Sequence, residues 1–252
     1  MNKFDRLSAD VIQSLYTYDV IVKSLTRSTN ADAEALIKTG AAHGTLIAAD
    51  EQSGGRGRLG KSFYSPKGGI YMSVIMKPDK ISLNKTPITF AAADAVCRAI
   101  EEVSDKTPSI KWVNDVFVNG KKVCGILTQN VPDSESSSII VGIGVNFKTK
   151  KFPDELESAG GLFDENCSLS RNEFISSIAN KLLEYSCNST DEKIMEYYKS
   201  HSNVIGREIT FTENGAVKSA DVIGIDDFGG LVIEKNLKVR TISCGEISIK
   251  VR

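Results

Sequence analysis

The chain has 252 residues, 41% of them hydrophobic and 25% charged, with 31 basic residues against 32 acidic ones and a formal net charge of −1. This is the make-up of a soluble globular protein with one large domain or a medium and a small one, and it lacks the basic excess of a protein that lives on nucleic acid. No apolar run reaches the ~18 residues of a membrane span, and the start, MNKFDRLSAD, has no apolar signal core. In chain order, Tyr16 to Val22 leads toward a strand. Ser28 or Thr29 then caps a helix whose apolar face is Ala33, Leu36 and Ile37, with Gly40 as its stop. GTLIAADEQS, from Gly44, and IYMSVIM, from Ile70, read as buried strands.

Thr86-Pro87 opens a helix that carries Ala91, Ala92, Ala95, Val96, Ala99, Ile100 and Val103 at helical spacing. Two strand-like runs then flank Asn119-Gly120, the strongest short hairpin signal. SSIIVGIGVNF is a further strand. Ser170-Arg171-Asn172-Glu173 is a capping box ahead of a helix, and a polar helix covers Asp191 to Lys199. From about Ile205 only short strands and turns remain, Asn214-Gly215 among them. A small barrel is the economical way to protect their edges. The boundary therefore falls near 203–205, between an α/β-mixed domain over 1–204 and a small β-barrel over 205–252.

Gly54 to Ser62 reads GGRGRLGKS, which from Gly55 fits the phosphate-cradling pattern G-x-x-x-x-G-K-[ST]. That device needs a helix directly after the loop, whose first N–H groups meet the phosphate. Here Pro66, Gly68 and Gly69 fall within the first two would-be turns, and the chain runs on into IYMSVIM. The loop is therefore not a P-loop. Its glycines allow close approach to a ligand, and Arg56, Arg58 and Lys61 suit phosphate oxygens. A solvated hairpin loop and an arginine-glycine nucleic-acid contact fit the same residues.

Pairing about Asn119-Gly120 sets Phe117 opposite Lys122, and alternation gives Lys122 the face of Phe117, Asp115, Val113 and Lys111. On one straight strand, Lys111 lies ~20 Å along from Phe117. Both lysines reach one atom only if the strand bends; otherwise Lys111 serves elsewhere. Lys122 is either a lysine paired with Asp115 or snorkelling to the edge, or a cation beside an anionic reacting group. The cysteines, Cys97, Cys124, Cys167, Cys187 and Cys244, are scattered without a C-x-x-C pair, which reads as reduced cytoplasmic thiols. With only His43 and His201 besides, no clustered zinc site is expected, and both histidines read as ordinary surface or core residues.

EQSGGRGRLGKSFYSPKGGIYMSV followed by KWVNDVFVNGKKVCGIL resembles the biotin protein ligases, with STN at 28–30 and VGIGVN at 141–146 in the same order. The resemblance implies an α+β fold: a catalytic domain like that of class II aminoacyl-tRNA synthetases, with a mixed sheet and helices, plus an SH3-like C-terminal barrel that includes Gly-Glu-Ile-Ser at 245–248. It implies that biotin and ATP, with Mg²⁺, give biotinyl-5′-AMP, and that a lysine of a biotin carboxyl carrier protein then takes the biotinyl group. Catalytic roles fall on Lys122, Arg58, Lys111 and Asp115. Biotin contacts fall on Ser28, Thr29, Asn30, Gln52, Gly55, Arg56, Arg58, Lys122, Gly125, Gly142 and Gly144. The adenylate side takes Arg56, Arg58, Phe63, Lys111, Asn114 and Asn146. Val113 departs from the family, which usually has proline there. Only ~25 residues precede STN, fewer than the ~40 a DNA-binding domain needs, so neither DNA binding nor a repressor role is expected. Related enzymes often pair edge strands, which raises a homodimer. Lipoate or octanoate ligases are the nearest rival reading.

Overall fold

A computed structural model describes residues 6–132, 137–213, 215–243 and, for the backbone, 249–251. Asn214 and the Gly-Glu-Ile-Ser segment lie outside the described residues. Strands buried on both faces build the centre of the first unit, with Leu46–Ala49 and Ile70–Met76 buried at every position. Strands β1 (Val20–Lys23), β2 (Leu46–Ala49), β3 (Ile70–Met76), β4 (Ser109–Lys111), β5 (Asp115–Val118), β6 (Lys121–Pro132) and β7 (Ser137–Val145) form a sheet of order β1-β2-β3-β7-β6-β5-β4. Only β1 and β2 run parallel; the other pairs are antiparallel, so the sheet is mixed.

One face of the sheet, through Leu46, Ala48, Ile70, Met72 and Val74, joins the main core. Helices α3 (Ile88–Val103), α4 (Arg171–Asn188) and α5 (Asp191–Ser200) pack there, with the short α1 (Ala9–Gln13) beside α4. Side chains of α3 at 3.6-residue spacing, Ala92, Ala95, Val96 and Ala99, are fully buried. Pro87 stands at the cap of α3 rather than inside it. The N-cap half of the expected capping box is seen at α4, where Ser170 Oγ accepts from the Glu173 N–H at 3.4 Å. The opposite face meets α2 (Thr29–Ile37), whose Ala33 and Ile37 pack on Ile47, Ile75 and Ile140. α2 covers only part of that face, and the remainder is the floor of a cavity.

The hairpin register about Asn119-Gly120 is as expected, with Val118 opposite Lys121 and Phe117 opposite Lys122. Two departures follow. A bulge separates Phe117↔Lys122 from Val116↔Cys124, which leaves Val123 unpaired and keeps Lys122 and Gly125 on one face. The KWVND stretch is also not one strand with β5. The chain reverses over Trp112–Asn114, where the Trp112–Val113 peptide is cis, and Lys111 returns as the cross-strand partner of Asp115. Val113 therefore does not share the face of Lys122; it is buried in the core on the helical side.

The C-terminal part is a five-stranded antiparallel sheet, β8 (Glu208–Glu213), β9 (Ala216–Ile225), β10 (Leu231–Lys235), β11 (Lys238–Ile242) and β12 (Ile249–Val251), in the order β11-β10-β9-β8-β12. Its Ile209, Phe211, Val222 and Leu231 belong to the same continuous core as the first sheet. The docking point is the turn before β10. Asp226 Oδ1 accepts from the N–H groups of Phe228 (2.9 Å) and Gly230 (2.8 Å), which fixes the turn. Trp112 Nε1 donates to Gly229 O at 3.0 Å in a buried contact. A Cβ at Gly229 would meet Pro87 at 2.9 Å, so glycine permits this approach.

Candidate active site

The pairing register draws one row across the sheet. Tyr71 on β3 faces Gly144 on β7, Gly144 faces Gly125 on β6, Gly125 faces Asp115 on β5, and Asp115 faces Lys111 on β4. The next row sets Ser73, Gly142 and Leu127 side by side. Above these rows lies a cavity of about 330 Å³. Its floor is low because glycines stand where neighbours must approach. A Cβ at Gly142 would lie 2.1 Å from Asn30 Oδ1, and one at Gly144 would lie 2.5 Å from the Phe63 ring.

One end of the cavity is a neutral polar network. Gln52 Oε1 accepts from the Thr29 N–H at 2.9 Å, and Gln52 Nε2 donates to Ser65 Oγ at 2.9 Å. Ser73 Oγ reaches Thr29 Oγ1 at 2.8 Å and Asn30 Oδ1 at 2.6 Å. Asn30 Nδ2 in turn donates to Gln129 Oε1 at 2.6 Å. Ser28 caps α2 by position but makes no side-chain capping bond, which leaves its hydroxyl beside the cavity. Such a fixed array of donors and acceptors suits a neutral polar ring, and the apolar Leu127 and Phe63 suit its hydrocarbon.

The other end is charged. Lys122 Nζ lies 2.7 Å from Asp115 Oδ1, and both side chains are about a quarter exposed (29% and 21%). Asn114 Nδ2 donates to Ile126 O at 2.8 Å, while its Oδ1 accepts from Arg58 Nη1 at 3.3 Å. Asn146 Nδ2 donates to Lys122 O at 3.2 Å. Arg58 comes from the glycine-rich loop, which is a small hairpin: Phe63 N–H donates to Gly55 O at 2.9 Å and Gly57 N–H to Lys61 O at 2.7 Å. Its tip turns through Leu59 (φ 54°) and Gly60 (φ 74°). No α-helix follows the loop, as the glycines and proline dictate, so the P-loop pattern has no P-loop geometry.

Every site residue expected from the sequence lines this cavity except Gly55. Gly55 packs below it, where a Cβ would lie 2.5 Å from Phe63 O and Ser65 Oγ. The sequence reading missed Tyr71, Phe117, Leu127, Phe152, Leu156 and Ser158 on the wall. Tyr71, Phe117 and Leu127 were findable as same-face neighbours of Ser73, Asp115 and Gly125; the segment from Phe152 to Ser158 carried no signal. The histidines lie elsewhere. His43 Nδ1 accepts from the Lys77 N–H, and His201 stacks on Tyr197. Cys124 is fully buried, and burial pushes its thiol well above the usual range, so it is a packing residue and not a nucleophile. Among the described residues no cluster of three His, Cys, Asp or Glu offers a metal cage, and no helix is long and apolar enough to cross a membrane.

A mixed sheet with a glycine-floored cavity, neutral and polar at one end and charged at the other, has the make-up of a small-molecule-binding site of an enzyme, with a second β-unit docked beside it. The Biotin/lipoate A/B protein ligase family matches residues 22–146, and the Biotin protein ligase C terminal domain matches residues 204–250. The bifunctional ligase/repressor BirA of Bacillus subtilis is 33% identical over 251 residues, 94% of this chain and 74% of its own length. The biotin–[acetyl-CoA-carboxylase] ligase of Mycobacterium tuberculosis is 27% identical, covering 91% of this chain and 87% of that one. The biotin protein ligase of Aquifex aeolicus, solved in complex with biotin and ATP, superposes with a TM-score of 0.79 at 26% identity over 94% of this chain and 100% of its own. The chain belongs to the biotin protein ligase family.

Proposed function

We infer that the chain joins biotin to a lysine of a biotin carboxyl carrier protein, using ATP and passing through biotinyl-5′-AMP. The observation that carries the reading is the row Lys111–Asp115–Gly125–Gly144, with Lys122 at 2.7 Å from Asp115, beside a neutral polar end. The chemistry is a problem of orientation and charge. The biotin carboxylate attacks the α-phosphorus of ATP, the bond to pyrophosphate breaks, and two anions must first be held together. Well-oriented reactants reach effective molarities of ~10⁵–10⁸ M. Lys122 is the cation assigned to the carboxylate and α-phosphate, with Lys111, Asn114 and Arg58 on the nucleotide side. Asp115 orients Lys122. Ser28, Thr29, Asn30 and Gln52 hold the ureido ring, and Gly125, Gly142 and Gly144 let backbone line its pocket. Arg56 and Phe63 close the adenylate side, with Asn146 opposite. In the second step the carrier lysine amine attacks the acyl carbon, and AMP leaves with the bonding pair.

Magnesium fits this site as a companion of the nucleotide. Asp115 is the one carboxylate among the described lining residues, and Mg²⁺ accepts a single carboxylate because it keeps waters and phosphate oxygens as its other ligands. When bound it neutralises phosphate charge. We further read the chain as a catalytic domain over 1–204 and a C-terminal domain over 205–252, supported by the two separate sheets. A cytoplasmic setting suits the four unpaired described cysteines. A homodimer pairing sheet edges would use one of the short edge strands, β1 or β4.

The test is pyrophosphate release with MgATP and either biotin or lipoate. Release with biotin alone supports the reading. Release with lipoate alone keeps the mechanism and changes the substrate. No release with either overturns it.

A further inference from the structure

A charged side chain outside the cavity holds the loop that covers it. Arg171 opens α4 and is only 3% exposed. Its Nη2 lies 2.8 Å from Asp50 Oδ1, and its Nη1 donates to Gly69 O at 3.0 Å. Asp50 follows the last residue of β2, and Gly69 precedes the first residue of β3. The two arms of one guanidinium therefore grip the two points between which the Gly54–Ser62 loop hangs. Short bonds lie inside this clamp: the Gln52 N–H donates to Ser65 O at 3.1 Å, and Tyr71 Oη donates to Pro66 O at 2.5 Å. Gln52 is the residue that also fixes Thr29, so the clamp stands behind both the neutral end of the cavity and the cationic loop.

We propose that Arg171 is a positioning residue: by bridging Asp50 and Gly69 it sets the separation of the loop roots, and with it the closure of the Arg58-bearing loop over the acyl-adenylate. A planar guanidinium fork reaches two acceptors in fixed directions. A lysine ammonium neutralises Asp50 equally well and is a point charge, without the paired arms. That difference separates a positioning role from simple burial of a compensating charge. The proposal rests on the ligase reading for its substrate readout only.

The experiment compares Arg171→Lys with the natural chain in two assays. In the first, preformed biotinyl-5′-AMP is loaded and its release followed. In the second, no substrate is present and tryptic cleavage at the loop's Arg56, Arg58 and Lys61 is timed. The expected result is a variant that melts within a few degrees of the natural protein, yet releases the adenylate about tenfold faster and is cut faster in the loop, as loss of one charge-assisted arm requires. Unchanged release and unchanged cleavage in a folded R171K would overturn the proposal. Should R171K fail to fold, Asp50→Ala removes the acceptor and keeps the arginine and its Gly69 arm; faster loop cleavage in that variant supports the clamp, and cleavage at the natural rate overturns it. Because cleavage is read without substrate, a chain that does not adenylate biotin still tests the clamp, and failure of the ligase reading is seen separately in the natural protein.

Discussion

Lys122 and Asp115 stand 2.7 Å apart across the β5–β6 hairpin, and Asp115 is at the same time the cross-strand partner of Lys111. One carboxylate is thus framed by two lysines at the edge of a cavity. Lys122 reaches that position by the hairpin register and strand alternation, the bulge at Val123 brings Gly125 onto the same face, and the reversal over Trp112–Asn114 supplies Lys111. A pair that is partly exposed contributes little net stability, so its value lies in holding a cation where negative charge gathers.

The first prediction concerns that cation. Lys122→Ala should lower the rate of adenylate formation by about 10²–10³-fold, the size found for removing one preorganised charge-stabilising group. Biotin binding without ATP should change far less, since the neutral end of the cavity is untouched. Single-turnover formation of biotinyl-5′-AMP and calorimetric titration with biotin check the two halves. A variant that turns over like the natural chain would show that Lys122 is merely an ion-pair partner.

The glycine floor gives the second. A methyl group at Gly142 lands 2.1 Å from Asn30 Oδ1, closer than real contacts allow, and the strands on either side fix the backbone. Gly142→Ala should push the Asn30 amide off Ser73 and Gln129 and weaken biotin binding by at least about tenfold, in line with the cost of overpacking a well-filled site. The KM for ATP should stay near its natural value. Equal biotin affinity in the variant would mean that the Asn30 network plays no part in recognition.

Much of this site could be read from local chemistry alone. Pro66, Gly68 and Gly69 forbid a helix after the loop, and Asn119-Gly120 fixes a hairpin register, because both act within a few residues. The position of Lys111 could not be read the same way. Its distance along a strand assumed that Lys111 to Val118 is continuous, and the reversal at Trp-Val-Asn carries no glycine or proline to announce it. What holds the turn is remote in sequence: Trp112 on Gly229 and Tyr198 Oη on Val113 O at 3.0 Å. Gly55, expected at the ligand, lies off the cavity lining. Its lack of a side chain serves packing under Phe63 and Ser65 instead of approach to a ligand.

The third prediction follows from that remote support. Trp112→Phe keeps an aromatic ring in the core, though a smaller one, and removes the indole N–H that donates to the Gly229 carbonyl. Loss of one partner of a buried hydrogen bond costs ~1–3 kcal/mol, and each kcal/mol lowers the melting temperature by about 2–4 °C in a chain of this size. Since Trp112 lies next to Lys111 and two residues before Asn114, the KM for ATP should rise while biotin affinity holds. A melting curve paired with ATP and biotin kinetics checks this. Loss of stability without any change in the ATP KM would confine Trp112 to docking of the C-terminal sheet.

The fourth prediction is a pH dependence of stability, and His43 carries it. Its ring lies edge-on to Tyr18 with centroids 5.7 Å apart, and Nδ1 accepts from the Lys77 N–H at 3.1 Å. A neutral ring is required for that bond, and it places the remaining proton on Nε2, which faces Cys187 Sγ at 3.8 Å. Burial holds the imidazole below its ordinary value of 6.5, against an opposing pull from Asp79, and Lys80 lowers it further. The unfolded chain therefore takes up this proton more readily than the folded one. Stability from His43 is complete above 6.5 and is lost as the pH falls below it. Melting temperature should drop between pH of about 7.5 and about 5.5, and His43→Gln, which keeps an acceptor for Lys77 but does not titrate, should flatten the drop. An equally steep fall in the glutamine variant would assign the acid sensitivity to other groups and leave His43 as packing only.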